Sequence, residues 1–381
     1  MSTTPYISVL MPSLNVAEYI QECIQSVTGQ TLNEIEIICI DAGSTDGTYE
    51  ILEEFAKKDD RIKLIRSDKK SYGYQMNLGL DAAIGKYIGI VETDDWIEPD
   101  MFEVMWKAAE KTGVDVIKTN HFKYTTKPIK HDVKIENLRL LPYSRVCRPA
   151  DDYNSFAVTP TIWSAIYSRD MLMKNSIRFH ETSGASYQDA SFQFMVFSVA
   201  ESMYCMEECF YHYRTDNDGS SMNSKGKVYC ICDEFEYFLD YLKGRPDKLE
   251  KLLPVFYREK FRHYSSNYYR VAFEYKKEFL KRMYEEFMPL KGEPMLGREL
   301  FASSLCRELD QMLNNPERFY QDTCGKRLYR DEFSNPYRYV SYLIRYAIIY
   351  VPRKIRRVMI CFSEHGAAYT IDMIVRKLRI R

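Results

Sequence analysis

The sequence predicts an α/β fold, in which a mainly parallel sheet flanked by helices is followed by a helical region. Three observations predict it. Apolar, β-rich runs alternate with helix-like segments through the first 120 residues, and such βαβ repetition implies a sheet covered on both faces. Polar clusters follow directly on three of those runs, at residues 12–15, 41–48 and 92–95. From Val228 onward the chain becomes rich in Tyr, Phe, Lys and Glu at helical spacing.

In chain order, strands are predicted at residues 6–14, 35–40, 62–66, 87–91 and 114–118. Asn15 is placed to cap a helix running through Val27, and Ser44 or Thr45 to cap the helix of residues 49–57, where Ile51, Leu52 and Phe55 make one apolar stripe. Residues 101–112 read as a helix. After Asn120 the alternation weakens, and the charged stretch 127–139 reads as an excursion or an edge hairpin. A second ordered region follows over residues 150–224. Phe235, Phe238, Leu239 and Leu242 then repeat at helical spacing. The organisation expected is a sheet domain over residues 1–225, a helical region over 226–330 and a basic amphipathic segment over 331–381.

A chain of 381 residues with 45% hydrophobic content is long enough for about two domains with cores of their own. Its formal charge of -1 gives no global field for nucleic acid. The N-terminus lacks the basic region that precedes the apolar core of a secretory signal, so a cytoplasmic protein is expected. Ten cysteines show no paired framework. Cys205 with Cys209, and Cys230 with Cys232, have no matching second half for a zinc site, and all are read as reduced core residues.

No run of about 18 apolar residues supports a spanning helix; the nearest, residues 339–350, contains Arg345. Around it Arg353, Lys354, Arg356 and Arg357 mix with Tyr342, Leu343, Ile348, Ile349, Tyr350, Val358 and Ile360. That mixture suits an interfacial helix on an anionic membrane surface, or else the solvated face of an ordinary helix.

The chemistry is concentrated after the fourth strand, where an apolar run ends in Glu92, Asp94 and Asp95 with no basic residue among them. Crowded carboxylates call for a raised pKa, a basic partner or a hard divalent cation, unless they simply cap the helix that follows. Upstream, Asp41 stands at a strand tip before Gly43 and Gly47. This loop is neither a Walker loop nor a dinucleotide fingerprint, and a plain strand-to-helix turn uses the same residues. Ligands gather at the carboxyl ends of strands in sheets of this kind, so the three polar clusters outline one site.

Four motifs in order carry a family resemblance: Val9-Leu-Met-Pro-Ser-Leu-Asn15; Asp41-Ala-Gly-Ser-Thr-Asp-Gly-Thr48; Asn77-x-Gly79 with Ala83-x-Gly85-Lys-Tyr-Ile88; and Glu92-Thr-Asp-Asp95. Over about residues 6–222 the chain resembles the family 2 glycosyltransferases of the Rossmann-like GT-A fold, of bacterial surface-polysaccharide type. The resemblance implies a nucleotide-sugar donor across the carboxyl edge of the sheet. It assigns Pro12, Asn15 and Glu18 to the nucleotide pocket, Asp41 to the base or ribose, and Asp94 to a Mg²⁺ or Mn²⁺ ion on the diphosphate.

Around these four motifs two positions depart from the family pattern. Glu92 stands where the family has Asp, a methylene longer, and its contact is ribose, metal-bound water or nothing. Met76 stands where Arg is frequent, with Lys69, Lys70 or Lys118 as the nearest replacements.

Further along, Asp189 matches the acid that closes a loop before a helix and takes the acceptor proton, or else it caps that helix. Gln188 replaces an acid often found beside it. Trp163 matches an acceptor-side aromatic, with core packing as the alternative, and Ala165 stands where Lys is frequent. His212 and Arg214 alternate on one strand face toward the diphosphate, His212 as an extra metal ligand or as a hydrogen-bonded packing residue.

The expectation is therefore an inverting, metal-dependent glycosyltransferase with a glycan or lipid-linked acceptor, peripheral at the inner face of the plasma membrane. One alternative is a catalytically silent sugar-nucleotide or glycan-binding module, with Glu92 and Met76 as signs of decay. The other is a nucleotidyltransferase, which needs a basic N-terminal loop, whereas residues 10–20 hold no Lys or Arg.

Overall fold

Strand β1 (Ile7–Ser13) is buried at every position, and so is β2 (Ile35–Asp41). Strands covered on both faces are apolar without alternation, which is why these runs stand out in the sequence. In the computed structural model, which describes residues 4–126, 130–217 and 227–331, helix α1 (Ile20–Thr28) joins β1 to β2. Helix α2 (Thr48–Ala56) leads on to β3 (Ile62–Arg66), and α3 (Tyr72–Ala82) to β4 (Tyr87–Ile90). β2 lies parallel between β1 and β3, while β4 pairs in parallel with the other side of β1. The sheet thus reverses its direction of growth at β1 and β4, and a crevice opens at the carboxyl ends of strands at such a point.

The chain continues through β5 (Trp96–Ile97), α4 (Met101–Thr112), β6 (Val116–Thr125), β7 (His131–Ile135), β8 (Val146–Cys147), α5 (Asn154–Ala157), β9 (Ala165–Ser168), α6 (Arg169–Lys174), α7 (Gln188–Val199) and β10 (Met203–Arg214). The strand order is β3-β2-β1-β4-β9-β6-β10-β5, with β7 on β6 and β8 on β10. β9 runs antiparallel to both β4 and β6, so the sheet is parallel in its first half and mixed beyond. The expected edge hairpin is the antiparallel pair of β6 and β7; residues 127–129 lie outside the described residues.

Two capping expectations are corrected. α1 begins at Ile20, too far on for Asn15. Instead Asn15, at φ 54°, accepts the Thr45 N–H at 2.9 Å and donates its own N–H to Ser44 Oγ at 2.9 Å, pinning two loops together. Neither Ser44 nor Thr45 caps α2. Gly47 turns the chain at φ 100°, where a side chain would be strained, and Asp46 accepts the Thr48 N–H at 3.1 Å.

Helix α7 is buried along almost its whole length, Asp189 being its one half-exposed residue. A helix buried all round needs cover on every side, and the second half of the chain supplies it. Phe192 meets Tyr167 of β9 at 5.4 Å. On the other face Phe194 meets Phe235 and Phe238 of α8 (Cys230–Lys243), each at 5.5 Å. α9 (Pro246–Arg270), α10 (Phe273–Phe287) and α11 (Ser303–Asn314) complete this helical layer. Residues 1–313 form one compact unit. α12 (Pro316–Asp331) belongs to a second, starting at Asn314.

The amphipathic segment expected at the C-terminus lies, beyond Asp331, outside the described residues. Among the described residues no helix is long and apolar enough to cross a membrane, and no disulfide joins the nine described cysteines.

Phe194 is 1% exposed where α7 meets α8. Phe194→Ala is expected to cost about 3–5 kcal/mol through the cavity it leaves, measured as a lowered urea midpoint with an unchanged slope.

Candidate active site

At the carboxyl edge of the sheet, the Asp41 loop is closed by its own carboxylate. Oδ1 accepts the N–H groups of Gly43 (3.0 Å) and Ser44 (2.9 Å), while Oδ2 accepts the hydroxyls of Ser44 (2.5 Å) and Ser13 (3.1 Å). Asp does this readily in turns because its short side chain reaches back to the main chain. Asp41 thus shapes the rim of the crevice, and a ligand reaching it must displace one of these donors. Pro12 is buried, and its carbonyl accepts the Thr93 hydroxyl at 2.7 Å, which ties β1 to the acidic loop. Asn15 is exposed on the rim, as is Glu18, which hydrogen-bonds the Tyr19 hydroxyl.

The three acids after β4 have three different environments. Asp95 is buried, accepting the Arg214 N–H at 2.7 Å and the Tyr211 hydroxyl at 2.8 Å, and burial pushes its pKa well above the usual carboxylate range. The same Tyr211 oxygen accepts the Glu92 N–H at 3.0 Å, so one phenol holds both ends of the loop. Glu92 accepts the Tyr72 hydroxyl at 2.6 Å. Burial, with the charges of Asp94 and Asp189 adding to it, pushes Glu92 up to about 8. Asp94 is half-exposed, its carboxylate accepting the Asn217 amide at 2.8 Å.

Arg214 brings positive charge to this loop from β10. Its guanidinium donates to the Asp94 carbonyl at 2.8 Å and pairs with Glu22 at 2.6 Å, lying 4.9 Å over the rings of both Tyr19 and Tyr124. His212 does not join it. Nδ1 lies 2.7 Å from Asp132 and Nε2 2.9 Å from Glu98, and the ring stacks on Trp96 at 3.4 Å. Both His212 nitrogens face carboxylates, the arrangement that the hydrogen-bonded packing alternative describes.

Asp189 lies in the first turn of α7, after Tyr187 at φ 62°. The N-cap position is Tyr187, which makes no side-chain cap bond, so Asp189 is not the cap. Its Oδ1 accepts the Ala190 N–H at 2.9 Å. Burial pushes its pKa up to about 7, and the charge of Glu234 adds to the rise.

Three groups register Asp189 together with the acidic loop. Glu92 feels Asp94 and Asp189; the Tyr72 hydroxyl feels Glu92 and Asp189; the Tyr213 hydroxyl, pushed up to about 12 mainly by burial, feels Asp95, Asp94, Asp189 and Glu92. The head of α7 and the loop after β4 therefore lie within electrostatic reach of each other.

Trp163 is buried, stacking on Tyr211 at 4.1 Å and Tyr213 at 5.5 Å, so it packs behind the phenol that holds the loop. Lys118 is no substitute for the missing Arg: it is buried and donates to the Thr161 carbonyl at 2.8 Å. Lys69 lies 3.7 Å from Glu181 and 4.0 Å over the Tyr74 ring. Sequence reasoning missed Tyr72, Tyr211, Glu22 and Glu234. The alternation along β10 would have exposed Tyr211 and Tyr213 as the face opposite His212, but nothing in linear spacing marks Tyr72 or Glu234.

A carboxylate raised on folding stabilises the fold where it stays protonated, and that stability is lost as pH rises from about 4, the unfolded value, through the folded one. Asp189→Asn is therefore expected to be more stable than the parent at pH 8 by on the order of 1–2 kcal/mol, with the difference vanishing near pH 4. Paired urea titrations at the two pH values measure it.

Comparison with known proteins agrees with this architecture. Residues 8–174 match the family model described as Glycosyl transferase family 2. The chain is 29% identical over 211 residues to the uncharacterized glycosyltransferase EpsJ of Bacillus subtilis, and 30% identical over 219 residues to the putative glycosyltransferase EpsH of the same organism. Each alignment covers 55% of this chain and 61% of the relative, so the chain spans under two thirds of either. In fold it is similar to S. aureus TarS residues 1–349, solved in complex with UDP-GlcNAc, with a TM-score of 0.67 at 19% identity over 85% of this chain and 91% of that one. The matched sequence of residues 8–174 and the order of the sheet both agree with similarity to the family 2 glycosyl transferases.

Proposed function

We propose that this chain is an inverting glycosyltransferase that moves a sugar from a nucleoside-diphosphate sugar to a hydroxyl of a glycan or lipid-linked acceptor in polysaccharide synthesis. What supports this proposal is the place of Asp189 in the first turn of α7, within electrostatic reach of the acidic loop, with its pKa raised to about 7 by burial. A general base works best with a pKa close to the working pH. Asp189 accepts the proton of the acceptor hydroxyl as that oxygen bonds to the anomeric carbon. The bond from that carbon to the diphosphate breaks on the opposite face, so the centre inverts. The Asp41 loop, Pro12, Asn15 and Glu18 form the nucleotide side, and Arg214 fixes the backbone of Asp94.

The donor set fits a divalent ion of one kind. Among the described residues no three His, Cys, Asp or Glu side chains form a cage, whereas Asp94 offers a half-exposed carboxylate. Mg²⁺ is commonly held by one or two carboxylates together with substrate phosphates and water. Asp94 is thus the residue that would hold Mg²⁺ or Mn²⁺, and such an ion would supply Lewis-acid stabilisation to the departing diphosphate. A polysaccharide acceptor on a lipid carrier brings the protein to an anionic membrane surface.

Uridine donors are the first to test, because TarS, of similar fold, was solved with UDP-GlcNAc. Asp94→Ala is expected to abolish the stimulation of UDP-sugar turnover by Mn²⁺; turnover still stimulated by Mn²⁺ in that variant removes Asp94 from the metal site. Asp189→Asn is expected to lower kcat by about 10²–10⁴-fold while calorimetry shows nucleotide binding retained. Because the base must be unprotonated, turnover of the parent falls as pH drops below about 7. Normal turnover by Asp189→Asn would refute the base assignment.

A further inference from the structure

Glu234 is a buried carboxylate for which the transfer step has no use. It sits on α8, 1% exposed, with both oxygens engaged: one accepts the Ser191 hydroxyl, and the other lies 3.0 Å from Nδ1 of His180. Ser191 is two residues beyond Asp189, so Glu234 grips the turn that carries Asp189. His180 belongs to the segment entering α7, and its ring stacks on Tyr237 of α8 at 4.5 Å and 2°.

The same segment is pressed against α3 from the other side. Asn77 clasps the Phe179 backbone through two hydrogen bonds of 2.9 Å, and a Cβ at Gly73 would fall 2.0 Å from the His180 carbonyl oxygen. The pair is therefore held between the sheet domain and the helical layer.

We propose that Glu234 is a positioning residue for Asp189, setting how readily that carboxylate takes up a proton, with His180 as the counter-charge that grades the effect. This deepens the sugar-transfer proposal and rests on it. A carboxylate behind another disfavours the ionised form of its neighbour. Glu234 does this to Asp189, while the hydrogen bond that His180 donates to Glu234 holds the imidazole above its ordinary value. On the acid side of neutrality the His180 cation offsets Glu234. Once His180 loses its proton, Glu234 stands uncompensated and Asp189 holds its own proton more tightly.

The groups facing Asp189 are Glu92, Tyr72 of α3, Tyr187, Tyr213 of β10 and Glu234. Those facing the Glu234–His180 pair are Asp233 and Tyr237 of α8.

The test is a carboxyl-¹³C NMR titration of the full chain labelled at aspartate, with no nucleotide or metal added. The Asp189 resonance is assigned by its loss in Asp189→Asn. Glu234→Gln keeps an acceptor for Ser191 but removes the charge, and is expected to lower the apparent pKa of Asp189 by about half a unit or more. His180→Gln removes the counter-charge and is expected to raise it. Opposite shifts support the proposal; unchanged values, or shifts in the same direction, overturn it. If circular dichroism shows Glu234→Gln unfolded, His180→Gln decides alone, since a carboxylate that does not act on Asp189 leaves its titration unmoved. Whether Asp189 is the base is decided separately by turnover in Asp189→Asn, so failure of the transfer proposal is not confused with failure of this one.

Discussion

Like charges held together away from water are the constraint on which the rest of this structure depends. Glu92, Asp94, Asp95, Asp189 and Glu234 each fall within electrostatic reach of at least one of the others, at the carboxyl edge of the sheet and at the head of a buried helix. Each ionised carboxylate raises the cost of ionising the next, and burial adds to that cost. The fold meets it with donors: the Tyr211 hydroxyl and the Arg214 N–H on Asp95, the Tyr72 hydroxyl on Glu92, the Ala190 N–H on Asp189, and His180 with Ser191 on Glu234. Asp94 stays half-exposed while its loop is anchored through its neighbours.

That constraint explains why the second half of the chain matters to the first. α7 is buried on nearly every side, with Phe192 against the sheet and Phe194 against α8. Its first turn carries Asp189, so the position of the carboxylate depends on two layers packing together. The helical layer contributes chemistry as well as cover, because α8 carries Glu234.

Much of this was legible in the sequence where local rules govern. The parallel strands announced themselves through uninterrupted apolar runs, and the acidic loop through three carboxylates without a basic neighbour. Motif order pointed to the fold and the family. The rest follows from pairings over long sequence distances. His212 could be read as a ligand or as a packing residue on a strand face, and Glu98 and Asp132, each about 80 or more positions away, face its two nitrogens. Asn15 looked like a cap until the loop at Ser44 and Thr45 claimed it. Tyr72, Tyr211 and Glu234 gain meaning only when the sheet brings them to Glu92, Asp95 and Asp189, and no periodicity encodes that meeting.

The central claim is that the loop after β4 and the head of α7 are the two walls of one sugar-diphosphate site. A crystal structure of the full chain with UDP and Mn²⁺ tests it most directly. The account predicts the diphosphate across the carboxyl ends of β1 and β4, the ion on Asp94, and Asp189 facing the open side of the terminal phosphate. A nucleotide seated elsewhere, or an Asp189 turned from that phosphate behind packed side chains, would contradict it.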